Sequence, residues 1–200
     1  VRDEGVGIML WSKLELRDPQ IRHLVSPNRA SIFADVLIGN GQVLSFVGVH
    51  PLPPGLPQDD ESGRHDSRIR DGELMLVAKE TPRAPDRQWI VTGDFNDVAW
   101  SHTTRMFQRI SGLQDPRVGR GLYNTYHAQV PIMRFPIDQV FLSPGAQIHH
   151  LGRIHPQGSD HFAIVTDFSF AKQEKARSEA SAEDLEEAEE MVDEGREDAE

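Results

Sequence analysis

The 200-residue sequence contains no cysteine, which excludes disulfides, thiolate catalysis and cysteine-built zinc sites. It has no apolar run near the roughly 18–20 residues that cross a bilayer as a helix. Its first residues show no signal-peptide pattern. They begin on Val1 rather than Met, inside sequence that reads as structured, so the chain is expected to be a piece of a longer protein. Basic charge is scarce too. Residues 1–170 hold nineteen acids and seventeen bases, a net of −2. Sequence-independent nucleic-acid affinity comes from neutralising phosphates with Lys and Arg, so a DNA-coating protein is disfavoured. A nuclease that grips a short stretch of backbone stays compatible with this balance.

What is present falls into two parts. Residues 1–170 suit one domain. Residues 171–200 carry −9 of the chain's net −11, with thirteen acids against four bases. Leu185 and Met191 are too few there to make a core face. The segment is therefore expected to be a disordered or transiently helical acidic tail, whose removal costs little stability.

Within residues 1–170, apolar runs alternate with turn signals. Residues 5–11 (GVGIMLW) read as a short buried strand. Residues 30–38 and 42–50 are β-rich runs separated by Gly39-Asn40-Gly41, a hairpin signal of the type I′ kind. The prolines after His50 end its strand. Residues 62–79 read as a helix with a patchy apolar face, and 81–86 as a loop. Residues 88–95 (QWIVTGDF) form a near-continuous apolar run, as in a strand covered on both faces. Residues 101–110 predict a helix capped by Ser101. Residues 119–126 are turn-rich and lead into a short strand. Three further strands follow over 137–142, 147–154 and 162–168. Many strands with few helices predict an α/β fold: two packed, mostly antiparallel sheets flanked by helices.

Four polar clusters sit at strand ends. In Gly93-Asp94-Phe95-Asn96, a carboxylate and an amide two residues apart project to one side of an extended segment, suited to a phosphate or a hard cation. In Gly158-Ser159-Asp160-His161, adjacent Asp and His can activate a water. His50 closes its strand. Asp138 lies inside the apolar run Ile137–Phe141, where a carboxylate needs a partner; His50 is the candidate. Alone, each cluster also suits an ordinary turn or a surface histidine.

Together and in this order, the four resemble the endonuclease/exonuclease/phosphatase superfamily, which includes pancreatic-type deoxyribonuclease, abasic-site endonucleases, neutral sphingomyelinases and inositol-polyphosphate phosphatases. The resemblance runs from about Gly5 to Phe168. It implies a four-layer, deoxyribonuclease-like α/β sandwich and hydrolysis of a phosphoester by activated water. By resemblance, His161 is the base, with Asp160 as its orienter and a metal ligand. Asp94 and Asn96 position nucleophile and phosphate, and His50 paired with Asp138 stabilises the transition state. The implied cofactor is Mg²⁺ or Mn²⁺. The implied substrate is a nucleic acid, a phospholipid headgroup or a small phosphate ester. No protein partner is implied.

The sequence departs from the family in one respect. The family's Asn and its principal metal-binding Glu have no match within residues 1–49. Both are expected upstream of Val1, in about 50–80 further residues, and residues 1–200 alone are expected to be nearly inactive. His50-Pro51-Leu52-Pro53-Pro54-Gly55 and Arg134 before Pro136 look most like a bacterial group with N-terminal membrane helices, which places any anchor in that upstream part. The aromatic-cysteine strand of inositol phosphatases is absent. Two other readings compete. One is a non-catalytic phosphate-binding module on the same fold. The other is a histidine-metal hydrolase, disfavoured because no His-x-x-x-His pair encloses a Glu.

Overall fold

The computed structural model describes residues 7–55, 67–84, 86–170 and 176–199. Its centre is a mixed sheet of β1 (Leu16–Arg22), β2 (Ser31–Leu37), β3 (Val43–Val49), β4 (Gln88–Asp94) and β5 (Asp138–Leu142), in that spatial order. Only β3 and β4 run parallel, because the chain between them crosses over through α1 (Arg68–Ala78) and the short α2 (Glu80–Arg83). A separate antiparallel pair is formed by β6 (Ala146–Ile154) and β7 (Ala163–Phe170). With α3 (His102–Ser111) and α4 (Ala182–Ala199), these elements make the expected α/β sandwich.

The strongest local signals hold. Ser101 caps α3, its side chain accepting from the Thr104 N–H at 2.9 Å. The runs around Gly39-Asn40-Gly41 pair as a hairpin with Leu37 opposite Val43. The turn, however, is a 3-10 turn at Gly39–Gly41 rather than type I′. The extra residues are accommodated by Gly41 at φ +73°. Residues 81–83, expected as loop, complete α2. The helix expected over 62–79 starts at Arg68; residues 62–66 lie outside the described residues.

Other expectations are corrected. Of the strand expected over residues 5–11, residues 5–6 lie outside the described residues, and 7–11 form no strand, with Met9 and Trp11 exposed. Residues 119–126 end in isolated bridges rather than a strand. Conversely, β1 has no clear sequence signal, because Asp18-Pro19 interrupts it with a bulge between Arg17 and Gln20. An edge strand tolerates both.

One face of the large sheet packs on α1, α3 and α4 around Val47, Val49, Leu74, Met75, Val91 and Ile110. The rings of Phe95, Phe107 and Phe141 meet there with centroids 5.0–5.5 Å apart. Each such side chain contributes about 1.5–3 kcal/mol by leaving water. No helix among the described residues is long and apolar enough to cross a membrane.

The expected acidic tail is also corrected. Ala182–Ala199 is a helix, α4, and Ala188 and Val192 belong to the core. Its first turn is held by a reciprocal capping box, with the Asp184 N–H donating to Ser181 Oγ at 3.0 Å and the Ser181 N–H to Asp184 Oδ2 at 2.9 Å. Arg109 beside Asp184 holds that carboxyl below the usual range. Gly72 of α1 and Gly195 of α4 let the helices touch. A Cβ on Gly195 would lie 2.7 Å from the Arg68 carbonyl oxygen.

Inside this core Glu73 is fully buried, with Ser31 Oγ donating to its Oε1 at 2.8 Å. Burial pushes its carboxyl from 4.5 up to about 7, against the opposing pull of Ser31 and Arg29. A raised pKa means that the native state binds the proton more tightly than the unfolded chain does. Its contribution is therefore complete below the unfolded value and is lost as pH rises through the native one. Stability should fall by roughly 2–3 kcal/mol between about pH 5 and pH 8. Glu73→Gln should flatten that profile and raise the melting temperature at the alkaline end. An unchanged profile in the variant would show that another group is responsible.

Candidate active site

Strand register assembles the site. Val49 lies opposite Gly93 in the parallel pair, so His50 emerges beside Asp94. In the antiparallel pair, Asp94 directly faces Asp138. Only glycine fits at position 93, where φ is +146° and a Cβ would fall 1.9 Å from the Val49 carbonyl oxygen. Phe95 is fully buried and turns Asp94 and Asn96 to the other side. Asn96 adopts a left-handed φ of +49°. Its N–H donates to Asp94 Oδ1 at 2.8 Å, and its Nδ2 donates to the Pro51 carbonyl at 3.1 Å. The loops after β3 and β4 are thereby tied together.

His161 arrives from a different direction. Tyr126 bridges both Phe135 and His161, and the Phe162 N–H donates to the Thr125 carbonyl at 2.9 Å. Thr125 Oγ1 in turn accepts from the Asp138 N–H at 3.2 Å. The Tyr126 ring lies 4.9 Å from the His161 ring. Thr125 and Tyr126 thus join His161 to the large sheet. Sequence reasoning passes over both, because neither sits in a periodic run.

His161 Nδ1 lies 2.8 Å from Asp138 Oδ2. This corrects two expected pairings, Asp138 with His50 and Asp160 as orienter of His161. The register explains both: Asp138 opens β5 next to the segment carrying His161, whereas His50 stands across Asp94. Asp94 Oδ2 is 3.9 Å from His161 Nε2 and 3.9 Å from His50 Nε2. The Asp160 side chain is exposed and acts on Asp94 and His161 only through its charge. Its carbonyl accepts from the Ala128 N–H at 2.7 Å.

The electrostatics follow from these contacts. The Asp138 hydrogen bond raises the His161 pKa above its usual value. Burial lowers that of His50, and the Arg29 charge adds to the shift. Burial pushes the Asp94 carboxyl from 3.8 up to about 6, with the charge of Asp138 as the second cause. Two carboxylates crowded into a half-buried space are what a divalent cation relieves. Asp94, Asp138 and His161 each offer a ligand atom within 4.8 Å of the others. The two carboxylates supply the oxygen donors that Mg²⁺ prefers. Among the described residues no Glu joins this cluster.

Arg29, a further residue absent from the sequence-based set, has a buried Nη1 without a hydrogen-bond partner among the described residues. Its charge acts on His50, and Glu73 and Asp94 act on it in turn. Arg29 and His50, with His23 and Asn28, are the polar lining of a cavity of about 460 Å³ whose apolar walls include Ile8, Met9, Ile21 and Ile32.

The Endonuclease/Exonuclease/phosphatase family profile matches residues 1–161, and the chain belongs to this family. Solved structures share its fold. The human nocturnin catalytic domain with bound sulfate anion is 18% identical at a TM-score of 0.60, over 79% of this chain and 60% of that one. D. rerio TDP2 complexed with a single-strand DNA product is 19% identical at 0.57, over 78% and 68%. The mannosyl-6-phosphatase of Bacteroides thetaiotaomicron VPI-5482 is 19% identical at 0.50, over 71% and 57%. The chain thus spans 60% of the nocturnin domain's length. No curated protein matches it.

Proposed function

We propose that the chain carries the water-activating part of a divalent-metal-dependent phosphoester hydrolase, acting as a phosphodiesterase, nuclease or phosphatase. The observation that carries this reading is the 2.8 Å Asp138–His161 bond opening onto Asp94. An ionised carboxylate only accepts hydrogen bonds, so Asp138 accepts from Nδ1–H of His161, which keeps its proton there and leaves Nε2 of the neutral ring as a free acceptor. Nε2 then removes a proton from water as its oxygen bonds to phosphorus and the ester P–O bond breaks. His50 and Arg29 face the negative charge that develops on the phosphoryl oxygens. The Asn96 carboxamide, held by Pro51, orients the phosphate. Asp94 and Asp138, with Asp160 at the rim, would hold Mg²⁺ or Mn²⁺. Such an ion, when bound, neutralises charge on the phosphoryl group.

The test is hydrolysis of a chromogenic phosphodiester and a phosphomonoester, with Mg²⁺ and with chelator. Turnover should require the metal and return when Mg²⁺ or Mn²⁺ is restored. Because no Glu joins the cluster among the described residues, residues 1–200 alone should turn over slowly, and a longer form carrying them faster. Phosphate binding without turnover in either form would favour the non-catalytic module instead. Turnover that persists in chelator would overturn the metal assignment.

A further inference from the structure

The loop that carries Asp94 and Asn96 is gripped by its backbone from two sides. Arg70, in the first turn of α1, donates from Nη1 to the Asn96 carbonyl at 2.9 Å. Gln139 of β5 donates from Nε2 to the next carbonyl, that of Asp97, at 3.0 Å. Both long side chains are buried, Arg70 at 8% exposure and Gln139 at 0%. Arg70 is itself held in place. Its Nε and Nη2 both donate to Asp71 Oδ1, at 2.9 and 2.8 Å, and Asp97 Oδ1 lies 3.8 Å from its Nη1. Asp71 accepts in turn from Ser67 Oγ. Asp97 accepts from Thr104 Oγ1 at 3.0 Å and from Ser101 Oγ. The first grip falls on Asn96 itself, which is in a left-handed conformation that L residues rarely adopt unaided.

We infer that Arg70 is a positioning residue of the site: its fork locks the Asn96 peptide and so aims the Asn96 carboxamide and the Asp94 carboxylate at the phosphate. The reasoning is geometric. A planar guanidinium with donors in fixed directions can satisfy the Asp71 carboxylate and the Asn96 carbonyl together. An ammonium at the same place keeps the charge between Asp71 and Asp97 but cannot hold both acceptors in one rigid arrangement. Arg70 makes no hydrogen bond to Asp94, Asp138 or His161, so whatever it does for the reaction passes through the loop it holds, by the hydrogen bond to Asn96 and the weaker ion pair with Asp97. The inference rests on the phosphoesterase reading for its consequence, though not for its geometry.

The experiment compares the wild type with Arg70→Lys and Arg70→Gln. Melting temperatures come first, to establish that each variant folds; Arg70→Lys, which keeps the charge, serves if Arg70→Gln does not. The ¹⁵N–¹H resonances of the Asn96 backbone and side-chain amides are then followed, alone and during titration with inorganic phosphate in Mg²⁺. In Arg70→Lys both Asn96 signals should move, and phosphate should bind roughly tenfold more weakly, the scale of one lost hydrogen bond to a charged group. In a form that turns over, kcat should fall about 10–100-fold with a smaller change in KM, as expected of a misplaced group. Unchanged Asn96 signals and unchanged phosphate affinity in a folded variant would overturn the inference. Shifted Asn96 signals in a protein whose wild type neither binds phosphate nor turns over would uphold the positioning and sink the phosphoesterase reading instead.

Discussion

Deleting Ala182–Ala199 is expected to lower the melting temperature by roughly 10–20 °C, at about 2–4 °C per kcal/mol for a chain of this size. The loss is apolar. Ala188 and Val192 leave the core, and Leu74, Met75 and Ala78 of α1 share the cluster they abandon. Uncovering on the order of 200 Å² of apolar surface costs about 5 kcal/mol. The ion pairs along the helix are a smaller matter. Glu189 meets Lys79 at 2.7 Å, Glu194 meets Arg68 at 3.4 Å, and Glu187 meets His102 at 2.8 Å. Pairs of this kind, with at least one partner in solvent, contribute about 0–1 kcal/mol each and are screened by salt. High salt should therefore leave most of the stability in place, while Gly195→Leu, forced against the Arg68 carbonyl, should cost several degrees at constant charge. A melting temperature unmoved by the deletion would mean that α4 does not hold to α1 in solution.

His161→Ala should reduce phosphoester hydrolysis by about 10²–10⁴, the usual cost of losing a positioned general base. Its fold should survive, since the side chain is part-exposed at the sheet's end. Asp138→Asn should also be strongly impaired. An amide can donate as well as accept, so it no longer forces the proton onto Nδ1 of His161. Added to His161→Ala, it should cost little more, because the two act as a unit. Added to His50→Ala, it should keep its full effect, the opposite of what a His50–Asp138 pair would give. The pH profile offers a second reading. Asp138 raises the His161 pKa, so kcat/KM should fall as pH drops through that raised value. In Asp138→Asn the acid limb should move to lower pH. An acid limb that stays in place would show that His161 is not the titrating base.

Much of the site was legible because its signals are local. The apolar run before Asp94, the prolines after His50 and the Asp-His pair at 160–161 each announce a strand end within a few residues. The hairpin around Asn40 and the Ser101 cap are likewise decided by neighbours in the chain. The order of these pieces was enough to resemble the family that the profile match bears out over residues 1–161. The acidic segment conceals its packed helix for a physical reason. Its seam is Ala188, Val192 and Gly195, small residues that leave no hydrophobic stripe in a segment dominated by acids. Leu185, the one leucine there, stays exposed.

The sequence by itself determined the hairpin of β2 and β3, the buried strands β4 and β5, the capped α3 and the polar groups at their ends, since turn chemistry, capping and the alternation of apolar residues act over a few positions. Only the tertiary structure decided how those groups pair. Asp138 meets His161 rather than His50 because Asp94 registers opposite Asp138 and because Thr125 and Tyr126 carry His161 to that edge. Arg29 and Arg70 reach this end of the sheet for the same reason: β2, which Arg29 precedes, pairs with β3, and α1, which carries Arg70, packs its apolar side on the sheet, so pairing and packing set which guanidinium ends beside which carboxylate. Contacts between residues tens of positions apart are fixed by register and packing, and no local pattern in the chain encodes them.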